Sequence, residues 1–147
     1  MNKTYEAAKA SIKGCMGMKA GEKLLILTDT EQFALAAEFV KAGNDLGYET
    51  SMVCGPVRLS GEMPEVSGAA LAKADAAMMI TTGSFTHTRS RAGATERGCR
   101  IASMPGITEE IVQNTLNADY DYVERIGNLL AEKLTNCEKI RVTTAAG

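Results

Sequence analysis

His87 is the chain's one histidine, and it lies in SFTHTRSRAGATERGCR (84–100) among the hydroxyls of Ser84, Thr86 and Thr88 and next to Arg89. Arg91, Arg97 and Arg100 follow, set against a single acid, Glu96. An imidazole near neutral pH can give or take a proton or bind a metal. A helix starting after Thr88 would turn its first unpaired N–H groups toward an anion. The same residues also read as a capped helix start, with Thr86 or Thr88 as N-cap and Arg89 and Arg91 solvated. Local chemistry leaves both readings open.

The elements around this stretch decide where it points. Tyr5, Ala8, Ile12 and Met16 recur at helical spacing. KLLILTD (23–29) then reads as a strand buried on both faces. Thr30 is expected to cap a helix from Glu31 to about Leu46, closed by Gly47. YETSMVC (48–54) is a second strand, and Gly55-Pro56 ends it. An irregular connection (57–68) leads to a short helix over Ala69–Ala74. DAAMMITT (75–82) is the third strand, a helix from Thr88 to Arg97 ends at Gly98, and RIASM (100–104) is the fourth strand. Thr108 caps a helix that begins with Glu109 and Glu110. From Asp121 to Cys137 the pattern is amphipathic, and KIRVTT (139–144) alternates as a strand would.

Strands alternating with helices specify βαβ units. The expected fold is a three-layer α/β/α sandwich, Rossmann-like or flavodoxin-like, with a mostly parallel sheet and one domain over 1–147. Ligand crevices in such folds lie at the C-terminal ends of the strands. Four loops meet there: 28–32, 54–58, 81–89 and 104–110. The third carries the chemistry, with Gly83 permitting close approach of other backbone. Asp29 reads first as an acid placed favourably at a helix start.

Composition excludes several classes. The net charge of −2 with 45% hydrophobic and 23% charged residues fits a globular chain without a general nucleic-acid-binding surface. The N-terminus has no signal-peptide pattern and no apolar run reaches membrane-spanning length, so a cytoplasmic protein is expected. Cys15, Cys54, Cys99 and Cys137 form no CxxC pair and read as reduced thiols. GxxxxGK[ST], GxGxxG after the first strand, HExxH and GxSxG are all absent. One histidine and scattered thiols equip the chain poorly for a metal site or a catalytic triad.

GEKLLILTDTE (21–31), SFTHTRSRAGATERG (84–98), ASMPGITEEI (102–111), ADYDYV (118–123) and the closing EKIRVTTAAG together resemble the N-terminal part of the thermophilic metallo-aminopeptidase family. That family includes aminopeptidase T, leucyl aminopeptidases and dihydroxypyridine-type ring-cleaving dioxygenases. The resemblance runs along essentially the whole chain in order. It implies an N-terminal α/β domain that contributes to a substrate cleft and to a homodimer. It also implies a C-terminal domain, following the VTTAAG strand, that holds a divalent metal (zinc, cobalt, manganese or iron). No residue of this chain matches those metal ligands, so none is assigned as catalytic or metal-binding. His87, Thr86, Thr88, Ser84 and Arg89 are the candidates for facing a peptide or small-molecule substrate. Phe85 stands where Leu is frequent in the family. A stand-alone α/β domain that binds a small anion or a partner at the same strand ends is the alternative.

Overall fold

Leu24, Leu25, Ile26 and Leu27 point alternately to the two faces of a sheet, and all four are buried. A strand with both faces covered needs helices above and below it, and the chain supplies them. The computed structural model describes residues 2–146. Its elements run α1 (Lys3–Cys15), β1 (Lys23–Asp29), α2 (Phe33–Asp45), β2 (Glu49–Gly55), α3 (Glu65–Leu71), β3 (Ala76–Ile80), α4 (Arg89–Glu96), β4 (Arg100–Ser103), α5 (Glu109–Thr115) and α6 (Tyr120–Thr135). By their contacts they form two compact units, Met1–Asn117 and Ala118–Gly147.

The first unit is the α/β sandwich. Its sheet has the order β2-β1-β3-β4, and every pairing is parallel. Residues of α1, α2 and α5 pack with Leu24, Ile26, Met78 and Ile80 on one face, around Phe39, Ile12 and Val112. On the other face Leu71 of α3 and Ala94 of α4 pack with Leu25, Leu27, Ala77 and Met79. The strand order is that of flavodoxin-like sheets. Below the strands, Arg100 joins distant segments: its Nε donates to the Met16 carbonyl at 2.8 Å, and its guanidinium pairs with Glu22. The Arg100 hydrogen bond holds the Glu22 carboxyl below its ordinary pKa.

Several boundaries differ from expectation. Thr30 does not cap α2, whose first residue is Phe33 after Gln32. The Asp29 carboxylate accepts the turn's Glu31 and Gln32 N–H groups instead. Helix α3 starts at Glu65 and not Ala69, because Pro64 supplies the extended residue before it. KIRVTT forms no strand: 139–144 have the alternation but no ladder partner. The second unit is therefore α6 followed by irregular chain. No helix among the described residues is long and apolar enough to cross a membrane.

Candidate functional site

Strands β1 and β3 are neighbours, but the helices that follow them cover opposite faces, which makes their C-terminal ends the topological switch point of the sheet. A crevice is expected there, and a carboxylate closes it. Asp29, at the end of β1 and 2% exposed, accepts the Thr82 N–H at 2.6 Å and the Thr82 hydroxyl at 3.0 Å, in addition to its two bonds within the α2 turn. Four donors converge on one buried carboxylate, which ties the end of β1 to the end of β3.

Beyond Thr82 the chain turns sharply. The Thr81 hydroxyl donates to the Gly83 carbonyl at 2.7 Å. A Cβ on Gly83 would lie 2.0 Å from the Arg58 carbonyl oxygen and 2.6 Å from the Leu59 Cα. Gly83 does allow a close backbone approach, as expected, but the β2–α3 loop makes that approach. Phe85 is buried in the core cluster under α3 and α4, so its ring is a packing residue.

The hydroxyls then divide by role. Thr88 is the N-cap of α4, with its Oγ1 accepting the Arg91 N–H at 3.3 Å and donating to the Phe85 carbonyl at 2.8 Å. Ser84 donates to the Thr86 hydroxyl at 3.1 Å and accepts the Thr86 N–H, and Thr86 meets the Ser103 hydroxyl of β4 at 2.9 Å. These bonds shape the loop and use the polar groups that a ligand would need.

The anion site expected at the start of α4 is filled from within. Glu62, in the β2–α3 loop, accepts the Arg89 N–H at 2.9 Å and the Ser90 N–H at 3.3 Å. The Arg89 backbone bond is the chief reason that the Glu62 carboxyl sits below its ordinary pKa. A carboxylate is the charge that a helix N-terminus favours. No local signal in GEMPEV marks Glu62 as that partner, because the contact spans 27 residues.

His87 and Arg89 remain, both exposed. With Ser84 they line one side of an open hollow of about 520 Å³, and Ser60, Gly61 and Glu62 line the other. The imidazole has no hydrogen-bond or ion-pair partner among the described residues. Of the five sequence candidates, the structure thus leaves one imidazole and one guanidinium facing the hollow, while Ser84, Thr86 and Thr88 are engaged in the loop. Among the described residues no three His, Cys, Asp or Glu side chains are grouped to hold a metal ion.

Fold and strand-end geometry together define a flavodoxin-like α/β domain whose switch point is latched and whose open hollow lies beside it, at the end of β3. A solved structure with this fold is that of 2,5-dihydroxypyridine dioxygenase from Pseudomonas putida KT2440, similar over 92% of this chain at a TM-score of 0.68 and 15% identity. The chain spans 42% of that protein's length. No protein-family model and no curated protein matches the chain.

Proposed function

We propose that the chain is the non-metal-binding α/β domain of a larger metal-dependent enzyme related to the metallo-aminopeptidases, with His87 facing a substrate cleft that other residues of the whole protein complete. The observation that carries this is the contrast at the end of β3. Every hydroxyl there is engaged locally, while His87 is exposed and without a partner at the rim of the hollow. In this reading His87 exchanges a proton or a hydrogen bond with substrate, and Arg89 offers positive charge to a carboxylate or ring oxygen. The divalent metal, whether zinc, cobalt, manganese or iron, is held outside 1–147.

The neighbouring structure, more than twice as long as the aligned chain, supports a domain of a larger protein. Its name favours a ring-cleaving dioxygenase as the second reading of the chemistry, with a small aromatic substrate in place of a peptide. A stand-alone anion-binding domain gains less support, because Glu62 already takes the helix N–H groups.

The chain alone, with zinc, cobalt, manganese or iron(II), is expected to turn over neither aminoacyl p-nitroanilides nor 2,5-dihydroxypyridine. Chelator-sensitive turnover by residues 1–147 refutes the proposal. In the longer protein His87→Ala is expected to lower kcat/KM by roughly 10²-fold or more, the scale of a lost proton-transfer group, with Tm unchanged. Full activity in that variant assigns the loop to structure alone.

A further inference from the structure

Two charged residues line the hollow at the end of β3, Glu62 and Arg89, and they are not equally free. Glu62 Oε2 accepts the Arg89 N–H at 2.9 Å, and its Oε1 accepts the Ser90 and Met63 N–H groups, each at 3.3 Å. A carboxylate offers about four lone-pair sites, so three N–H bonds leave it little to give an incoming ammonium group. Its charge is matched by the positive end of α4. The Arg89 guanidinium, by contrast, is exposed and has no hydrogen-bond or ion-pair partner among the described residues. A second guanidinium is fixed on the facing wall, where Arg58 Nη1 donates to the Glu62 carbonyl at 3.1 Å. The unbalanced charge at the hollow is therefore positive.

We infer that the hollow receives a carboxylate carried on a small apolar body, and not the free ammonium end of a peptide. The inference rests on the reading of the hollow as part of a substrate cleft and names the group that enters it. Glu62 holds the start of α4, so an anion meets the Arg89 side chain and not the helix N–H groups. A guanidinium presents parallel donors that match the two oxygens of a carboxylate. Leu59, 75% exposed on the facing wall, supplies bare apolar surface for the rest of the molecule. The volume of about 520 Å³ lies within the roughly 300–1,000 Å³ usual for small-molecule sites. In peptide chemistry this puts the C-terminal carboxylate of a short peptide at Arg89 and leaves the ammonium end to residues outside 1–147. In ring chemistry it puts a ring carboxylate there. Arg89 sets specificity in both cases.

Benzoate, benzamide and benzylamine are probes of similar shape and different charge, and amide 1H–15N spectra of the 147-residue chain report their binding. Benzoate is expected to shift the amides of 59–62 and 84–89 saturably, with a Kd about tenfold or more below those of the other two, the scale of a charge-assisted bidentate contact. Arg89→Gln keeps the backbone N–H that Glu62 accepts and is expected to raise the benzoate Kd about tenfold or more. Arg89→Lys keeps the charge and loses the fork, so its Kd should fall between the two. Leu59→Ser should weaken benzoate and leave acetate unchanged. In the longer protein, Arg89→Gln should remove most of the preference in kcat/KM for a substrate with a free carboxylate over its amide. Benzylamine binding as tightly as benzoate, no saturable shift up to the solubility of benzoate, or wild-type benzoate binding by Arg89→Gln would each overturn the inference. His87→Ala separates it from the reading of the cleft. Lost activity in that variant, with no benzoate site in the wild type, sinks the inference alone; full activity in that variant, with the benzoate site present, sinks the cleft and keeps the carboxylate site.

Discussion

Replacing Asp29 by Ala removes four hydrogen bonds from one buried carboxylate, and the cost can be worked donor by donor. Glu31 is exposed and Gln32 also donates to the Asp29 carbonyl, so water and backbone compensate those two N–H groups. The Thr82 N–H and hydroxyl lose charge-assisted bonds of 2.6 and 3.0 Å at a half-buried position. Each such bond is worth about 1.5–3 kcal/mol, which puts the loss of the two at about 3–6 kcal/mol. A unit of 117 residues unfolds with an entropy near 250 cal/mol/K at about 2.1 cal/mol/K per residue, so Tm should fall by about 12–24 °C. Asp29→Asn keeps the volume but turns one NH2 group toward an N–H donor whichever way it is flipped, and it should lose about half as much. Differential scanning calorimetry measures both. A fall below about 4 °C for Asp29→Ala, roughly 1 kcal/mol, would refute the latch.

Gly83→Ala forces the Arg58–Leu59 backbone outward and is expected to cost about 1–3 kcal/mol in urea unfolding, with faster proteolysis within 56–64; an unchanged midpoint contradicts the close contact. Glu62 has a folded-state pKa below the ordinary 4.5, so its contribution is complete above that pH and is lost as pH falls through the lowered value. The urea midpoints of wild type and Glu62→Gln should therefore differ most at neutral pH and converge in acid, and a constant gap would argue against the cap. A thiol titration of the folded chain should find Cys15, Cys54 and Cys137 fast and Cys99 slow until denaturant is added, because burial covers the Cys99 thiol and raises its pKa. Four equally fast thiols would contradict that burial.

What could be read in advance follows the range of the forces involved. KLLILTD and AAMMI announce doubly covered strands because parallel sheets make continuous apolar runs. Thr88 and Thr108 are caps where expected, since a cap is a bond to an N–H three residues on. The misplacements have partners far away in sequence. Asp29 prevails over Thr30 at the α2 turn while also bonded to Thr82, 53 residues distant. The end of β3 showed its histidine and hydroxyls plainly, but no pattern within 84–100 could reveal that Glu62 fills the helix start or that loop 56–64 packs on Gly83. Alternation in KIRVTT was real as a pattern and insufficient as a cause, because a strand exists only with a neighbour.

The packing of Arg58 and Leu59 on Gly83 has a consequence for how such a hollow is altered. Ser84, His87 and Arg89 line it from the β3–α4 connection, whereas its facing wall of Ser60, Gly61 and Glu62 is lent by the β2–α3 connection. Glu62, bonded to the Arg89 and Ser90 N–H groups, joins the two sides. Exchanging 57–61 while keeping Glu62 and Gly83 would reshape what the hollow admits without disturbing the strand that presents His87.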